Sequence, residues 1–368
     1  MVMDVPFLNP AAQYAALKDE LLCAVEKVLA DGRFILGPNV AALEQEIAAL
    51  AGTKFGVGVN SGSDALTLAL RALGIGPGDE VITTPFTYIA PAESIYQVGA
   101  RIVFADIAPR TFNLDPEEVA RRITRRTKAI IPVHLFGQAS PMKELLALTE
   151  QRGIQMVEDC AQAIGAAYSG KPVGAFGRLG CFSFYPTKNL GACGDGGMVV
   201  GDDEALAEKL RMLRAHGARR RYSHDLHGYN SRLDELQAAV LRVKLPHLNR
   251  WNARRAAIAA HYNSGLKNLP LDLPLTASAN THVFHVYAVL APRRDELQRF
   301  LADRGVATLI YYPQPLHLQK VFADLGYRAG DFPVAEEVSK RILPFPIYPG
   351  LTDQQVDYVI ETMRQFPF

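Results

Sequence analysis

Cysteine is scarce in this chain: Cys23, Cys160, Cys181 and Cys193 are the only four in 368 residues, and none forms a CxxC pair. Their spacings match no common zinc or iron–sulfur pattern, so they read as free thiols of a reducing compartment rather than a disulfide framework. An excess of either charge is also missing. The 39 Lys+Arg and 38 Asp+Glu leave a net charge of +1, which excludes a generic nucleic-acid or anionic-membrane binder. No uncharged apolar run approaches the ~18 residues that a transmembrane helix needs. The opening MVMDVPFLNP lacks a basic region followed by an apolar stretch. No signal peptide is therefore expected, and a cytoplasmic location is.

What is present is apolar and periodic. Hydrophobic residues make up 49% of the chain, ample for a large core. Leu17, Leu21, Val25, Val28 and Leu29 recur at helical spacing, as do Val40, Leu43, Ile47 and Leu50. Short apolar runs then alternate with helical patterns: strands at 55–59, 80–84, 101–106, 129–135 and 154–159, helices at 64–73, 91–98, 116–123 and 141–151. Such alternation predicts an α/β fold with a mainly parallel central sheet. Two further strands are expected at 181–186 and 196–200, a charged helix at 203–215, and a long Arg/His/Tyr-rich loop at 216–230. A helical pattern over 231–266 is interrupted at Pro246. The remainder reads as a smaller α+β unit with strands at 281–290 and 306–312, a helix at 294–304 and a final helix capped at Thr352 by Gln355. The expected division is a large α/β domain over 1–250, with an N-terminal helical segment, and a small C-terminal α+β domain over 251–368.

Three segments together suggest chemistry. SFYPTKNLGACGDGG (183–197) puts Lys188 between a strand and a glycine-rich loop. A lysine in a partly desolvated pocket becomes a nucleophilic amine, although Lys188 taken alone reads as a solvated surface lysine, since lysines seldom bury. VEDCAQAIGA (157–166) places Asp159 at the carboxyl end of a strand, where open α/β sheets bind ligands; its other reading is a helix cap. VNSGSDAL (59–66) runs from a strand through a Ser-Gly-Ser turn into a helix, with Ser63 as the expected N-cap. Free N–H groups and the helix dipole there form a phosphate site. An amine, a carboxylate for a pyridinium and a phosphate cradle are the inventory of a pyridoxal 5′-phosphate (PLP) enzyme.

The chain resembles the DegT/DnrJ/StrS-type family of nucleotide-sugar aminotransferases, of fold-type-I PLP architecture. GRFILGPNVAALE (32–44), NSGSDAL (60–66), GPGDEVITTPFTYIA (76–90), KAIIPVHLFGQ (128–138), EDCAQAIGA (158–166), SFYPTKNLGACGDGG (183–197) and GYNSRLDELQAAVLRVKL (228–245) carry the resemblance. It implies that Lys188 holds PLP as an imine and then shuttles a proton between substrate and cofactor. Asp159 would pair with the ring nitrogen, Gln162 would sit beside the ring hydroxyl, and Tyr88 would stack on the ring. Gly62, Ser63 and Ser183 would bind the phosphate. Asn230 would reach the phosphate of a neighbouring subunit's cofactor, making a homodimer with composite sites. Asp195 stands where many relatives have glutamate, a change that keeps charge and glycine geometry. Lys188 itself argues against the sugar-dehydratase branch, where histidine replaces it.

The resemblance further implies transamination of a nucleoside-diphosphate-linked keto-sugar with L-glutamate as donor, giving an amino sugar for glycan or secondary-metabolite biosynthesis. A 3-keto-6-deoxyhexose on dTDP is the expected substrate; a 4-keto sugar and a UDP-3-keto-hexuronate are the alternatives. Arg33, Arg219, Arg220, Arg221 and Arg232 are candidates for the diphosphate, because guanidinium groups match phosphate oxygens bidentately. The Arg219–Arg221 run reads equally as a solvated loop. Tyr185, Tyr312 and His317 are candidates for the sugar, with packing as the other reading of His317, and His134 could lie beside the cofactor or serve structure. No metal is expected. Rival readings are a PLP-dependent lyase using Cys193, a non-catalytic regulatory homologue and a nucleotide-binding dehydrogenase. The last lacks the G-x-G-x-x-G turn that it needs.

Overall fold

The structure is a computed structural model that describes residues 3–220 and 222–368. The chain opens with two helices, α1 (Pro10–Asp31) and α2 (Pro38–Ala51), each started by a proline and stopped by a left-handed glycine, Gly32 and Gly52. Proline pre-sets the first helical turn, and glycine accepts the positive φ that ends it.

The alternating segment forms β1 (Phe55–Val59), α3 (Gly62–Ala72), β2 (Glu80–Thr83), α4 (Ala90–Gln97), β3 (Arg101–Phe104), α5 (Pro116–Arg122), β4 (Thr127–Ile130), α6 (Met142–Glu150) and β5 (Gln155–Asp159). A small hairpin, β6 (Ala167–Tyr168) and β7 (Lys171–Pro172), precedes β8 (Leu179–Ser183), β9 (Gly197–Gly201) and α7 (Glu204–Leu213). Seven strands make the central sheet in the order β1-β9-β8-β5-β4-β2-β3. Only β9 is antiparallel to its neighbours β1 and β8, so six carboxyl ends share one edge. Strands β1, β2 and β9 are buried along their whole length and β8 as far as Phe182, as expected where helices cover both faces.

The 216–230 segment is not wholly a loop. It contains the hairpin β10 (Ala218–Arg220) and β11 (Ser223–His224). Helix α8 (Glu235–Lys244) is followed by a 3-10 turn at Leu245–His247, where Pro246 interrupts the pattern, and then α9 (Leu248–Leu266).

Two sequence expectations need correction beyond this point. The run 281–290 is not one strand: β12 (Asn280–Thr281) pairs with β6, and β13 (Tyr287–Leu290) pairs with β14 (Ile342–Phe345). Between them Phe284 has a φ of 45°, and Val283 and Val286 donate to Gly137 and Phe136 carbonyls instead of to a strand. The run 306–312 is not a strand either. Val306 bridges Val5, and the chain then leaves as irregular backbone. Helices α10 (Arg294–Ala302), α11 (Pro333–Arg341) and α12 (Asp353–Arg364) complete the chain. The capping box between Thr352 and Gln355 is formed, as its sequence pattern predicts.

One hydrophobic core lies under the sheet and takes in Val286, Leu316, Phe332 and Val338 from the C-terminal part. A second core surrounds Tyr262, Tyr287, Phe345 and Val359 and includes Val5 from the N-terminus. Among the described residues no helix is long and apolar enough to cross a membrane.

Candidate active site

The shared carboxyl edge of the sheet carries a cavity of about 390 Å³. Four strand ends contribute to its walls. Ser61, Gly62 and Ser63 follow β1, Tyr88 follows β2, Asp159 closes β5 and Ser183 closes β8. Lys188 and Tyr185 come from the loop after β8, while His285, Tyr311 and Tyr312 come from the C-terminal part.

The turn at the mouth of α3 differs from expectation by one position type. The N-cap is Ser61, whose hydroxyl accepts the Asp64 N–H at 3.0 Å, whereas Ser63 lies in the first turn. First-turn N–H groups have no intrahelical acceptor and carry the positive end of the helix dipole. The fit around them leaves no room for side chains. A Cβ on Gly62 would come within 2.6 Å of Ser183 Cβ, and one on Gly197 within 2.3 Å of the Ser61 carbonyl oxygen. Backbone donors and two serines thus line a cradle that suits a phosphate.

Asp159 is 5% exposed. Burial pushes its carboxyl above the usual range; the Ala161 N–H, donated at 3.0 Å, and the charges of Lys188 and His134 oppose that rise. A cationic ring nitrogen in the cavity would oppose it further, since an opposite charge favours the ionised carboxylate. Lys188 is half-buried, and burial lowers its amine to about 8 against the pull of Asp159. The pair therefore offers an amine near neutrality facing an acid, which suits an aldehyde-bearing, pyridine-based group.

Neighbouring residues fix these two. Gln162 Oε1 accepts the Phe136 N–H at 2.8 Å and Nε2 donates to the Tyr312 hydroxyl at 3.1 Å. Burial, foremost, raises the Tyr312 phenol, so it stays protonated. Buried Asn189, next to Lys188, donates to Asn252 Oδ1 at 2.8 Å and to the Val283 carbonyl at 3.1 Å. Its Oδ1 faces His285 Nδ1 at 3.1 Å. Burial drives His285 well below the usual imidazole range, with Lys188 and Arg255 adding to the effect. A neutral His285 donating from Nδ1 satisfies this geometry. Sequence reasoning missed His285 and Asn189, because the backbone between β12 and β13 that brings His285 to the cavity follows no period.

Other expected residues stand elsewhere. His134 is fully buried and turned away from the cavity: Nε2 bonds Glu158 Oε2 at 3.0 Å, and Nδ1 accepts the Ser140 N–H at 3.0 Å. Glu158 also accepts N–H bonds from Gly174, Phe176 and Gly177 at 2.9, 2.7 and 2.7 Å. His134, Glu158 and Cys160 place potential ligand atoms within 4.8 Å of one another, but the His134 and Glu158 atoms are already used. His317 is buried against Glu336, 3.1 Å away, and Phe332, outside the cavity lining. Arg33 lies beside a surface hollow with Lys27 and Glu235. Arg219 pairs with Glu208 and Asp225, Arg220 is exposed, and Arg221 lies outside the described residues. Arg232 is half-buried and Asn230 exposed, both outside the cavity.

A further cavity of about 400 Å³ meets the first at Thr187 and Lys188, which line both.

Comparison with known proteins gives consistent matches along nearly the whole chain. The DegT/DnrJ/EryC1/StrS aminotransferase family matches residues 15–364. A pleiotropic regulatory protein of Geobacillus stearothermophilus is 51% identical over 99% of both chains. The UDP-N-acetyl-3-dehydro-alpha-D-glucosamine 3-aminotransferase of Acidithiobacillus ferrooxidans is 47% identical, covering 98% of this chain and 97% of its own. The dTDP-3-amino-3,4,6-trideoxy-alpha-D-glucose transaminase of Streptomyces venezuelae is 48% identical over 98% and 96%. Among solved structures, S. venezuelae DesV in complex with a ketimine intermediate superposes with a TM-score of 0.97 at 48% identity, covering 98% of each chain. Bacillus subtilis NtdA with bound cofactor PMP gives 0.93 at 30% identity, over 99% of this chain and 85% of that one. The fold is that of the fold-type-I PLP enzymes, and the chain belongs to the DegT/DnrJ/EryC1/StrS aminotransferase family, whose aminotransferases depend on pyridoxal phosphate.

Proposed function

We propose that this aminotransferase moves an amino group from L-glutamate to the 3-keto carbon of a nucleoside-diphosphate-linked sugar, a dTDP-linked 6-deoxyhexose first among the candidates. The observation that carries the reading is the convergence of Lys188, Asp159 and the Ser61–Ser63 turn on one cavity. Pyridoxal phosphate bound there supplies an aldehyde carbon for the amine and a ring that accepts electrons.

The chain's own residues divide the remaining work. Lys188 is held close enough to neutrality to give up and take back a proton at Nζ. Asp159, in the cavity wall, would pair with the ring nitrogen and favour its protonated form. Gly62, Ser63 and Ser183 hold the phosphate. Gln162 and Tyr312, bonded to each other, would brace the ring's hydroxyl side, and exposed Tyr88 would stack on the ring. Tyr185 and Tyr312 line the space left for a sugar. Asn230, Arg33, Arg219 and Arg232 do not line this chain's cavity; in a homodimer they would act on the partner's site.

Preference for the 3-keto position rests on two relatives whose names specify amination at carbon 3, one UDP-linked and one dTDP-linked. They disagree on the nucleotide. The regulatory name of the Geobacillus relative favours a non-catalytic reading, but Lys188 and Asp159 are both intact here. The test is to incubate the holoenzyme with L-glutamate and a panel of dTDP- and UDP-linked 3-keto and 4-keto sugars, with mass as the readout. Amination of a 3-keto member is expected. Amination of 4-keto members alone, or of none, overturns the reading.

A further inference from the structure

We propose that the cavity adjoining Lys188 on the α1–α9 side is a built oxyanion subsite of the same active centre. The proposal rests on the aminotransferase reading above, because the subsite shares Lys188 with the cofactor cavity.

Charge distinguishes the two cavities. Lys188, Arg250, Arg254 and Arg255 line this one, and no carboxylate does among the described residues. The cofactor cavity, by contrast, has Asp159 and Asp195 in its wall. Arg255 is the central element. It is 3% exposed. Its Nη1 is locked on the carbonyls of Phe284, His285 and Ile347 at 3.2, 3.4 and 2.7 Å, while its Nε has no partner. Burial lowers it only to about 10, so it remains cationic at neutral pH. A buried cation held by neutral carbonyls alone is costly, and an anion in the adjoining space offsets that cost. Arg254 is already anchored to the Leu351 carbonyl and Asp353 at 2.6 and 2.8 Å, which fixes its guanidinium at the rim. The first turn of α1 adds the positive end of a 22-residue helix, with Gln13 in the lining and Asn9 capping the Ala12 N–H at 3.1 Å.

The ligand class is a delocalised oxyanion that a forked guanidinium grips through paired donors. Two groups of the proposed reaction share that chemistry: a carboxylate of the amino donor and the diphosphate of the nucleotide-linked sugar. Both must place one end at Lys188, which the shared wall permits.

The experiment uses the holoenzyme and the variants Arg255→Lys and Arg250→Gln. Calorimetric titration measures the affinity of inorganic pyrophosphate, dTDP, UDP and glutarate. The two half-reactions are followed separately by the absorbance change on adding L-glutamate, and by its reversal on adding the keto-sugar. At least a tenfold loss of affinity is expected for one anion class in both variants, together with a shallower salt dependence in Arg250→Gln, which removes a charge that Arg255→Lys keeps. Loss confined to glutarate and the glutamate half-reaction assigns the carboxylate. Loss confined to pyrophosphate and the nucleotides assigns the diphosphate. All affinities within twofold of wild type in either folded variant overturn the proposal. Arg250 is exposed, so its variant keeps the test readable should Arg255→Lys fail to fold. Anion binding is read without turnover. An enzyme that binds these anions through the arginines yet aminates no nucleotide sugar sinks the proposed function and leaves the subsite standing.

Discussion

Gln162 Nε2 donates to the Tyr312 hydroxyl at 3.1 Å, joining residues 150 positions apart across the cavity. The bond ties the strand-end turn that carries Asp159 to the irregular segment 307–312. Removing it with Tyr312→Phe costs about 1 kcal/mol of stability, the usual worth of a neutral hydrogen bond. The activity cost is larger if the tyrosine also orients substrate. We expect kcat/KM to fall about tenfold with kcat less affected, measured by steady-state kinetics on the substrate that the panel identifies.

Asp159→Asn keeps the side chain's shape and removes its charge. On the proposed role the ring nitrogen would then lose its anionic partner, and kcat should fall by roughly 10³, the scale of losing one preorganised electrostatic partner. Gln162→Ala should cost far less. Comparable losses in the two variants would contradict the roles given to them.

Burial places the Lys188 amine at about 8 instead of its ordinary 10.5. The neutral amine is the form that attacks an aldehyde. Capture of added PLP by the cofactor-free protein should accelerate as pH rises and level off near 8. Stopped-flow absorbance measures this, and a rate still climbing above pH 10 would contradict the lowered value.

Gly62→Ala inserts a methyl group 2.6 Å from Ser183 Cβ. Relief requires a shift of either the turn or β8, at a cost of about 1–3 kcal/mol for an overpacked site. Cofactor affinity should fall about tenfold or more. Equilibrium titration of the variant with PLP checks this, and an unchanged Kd would remove Gly62 from the cradle.

His282 and His285 are buried with lowered values, about 3 for His282. The unfolded chain binds protons at these positions below its ordinary pKa near 6.5, and the folded chain does not. Stability from both groups is therefore complete above about 6.5 and is lost as pH falls below it, with a limiting slope of ~1.4 kcal/mol per pH unit for each. Denaturant unfolding between pH 7 and 5 should show this loss. His282→Asn should flatten it.

The β–α architecture and several residues that line the cavity are legible in the sequence. Period-2 and period-3.6 patterns marked the β–α alternation, and buried strands read as continuous apolar runs because helices cover both faces. Lys188, Asp159, Gly62, Ser63, Tyr88, Gln162 and Ser183 were legible because each sits in a short motif at a strand end, where local sequence and location in the fold coincide. Tertiary structure alone decided which distant segments close the cavity. His285 arrives on irregular backbone held by Phe136 and Gly137 carbonyls, and no local period encodes such a pairing. His317 and His134 have the same composition as site histidines, yet Glu336 and Glu158, 19 and 24 positions away, claim them. A polar side chain goes to whichever partner satisfies it at least cost, and that partner is fixed by packing across the whole chain.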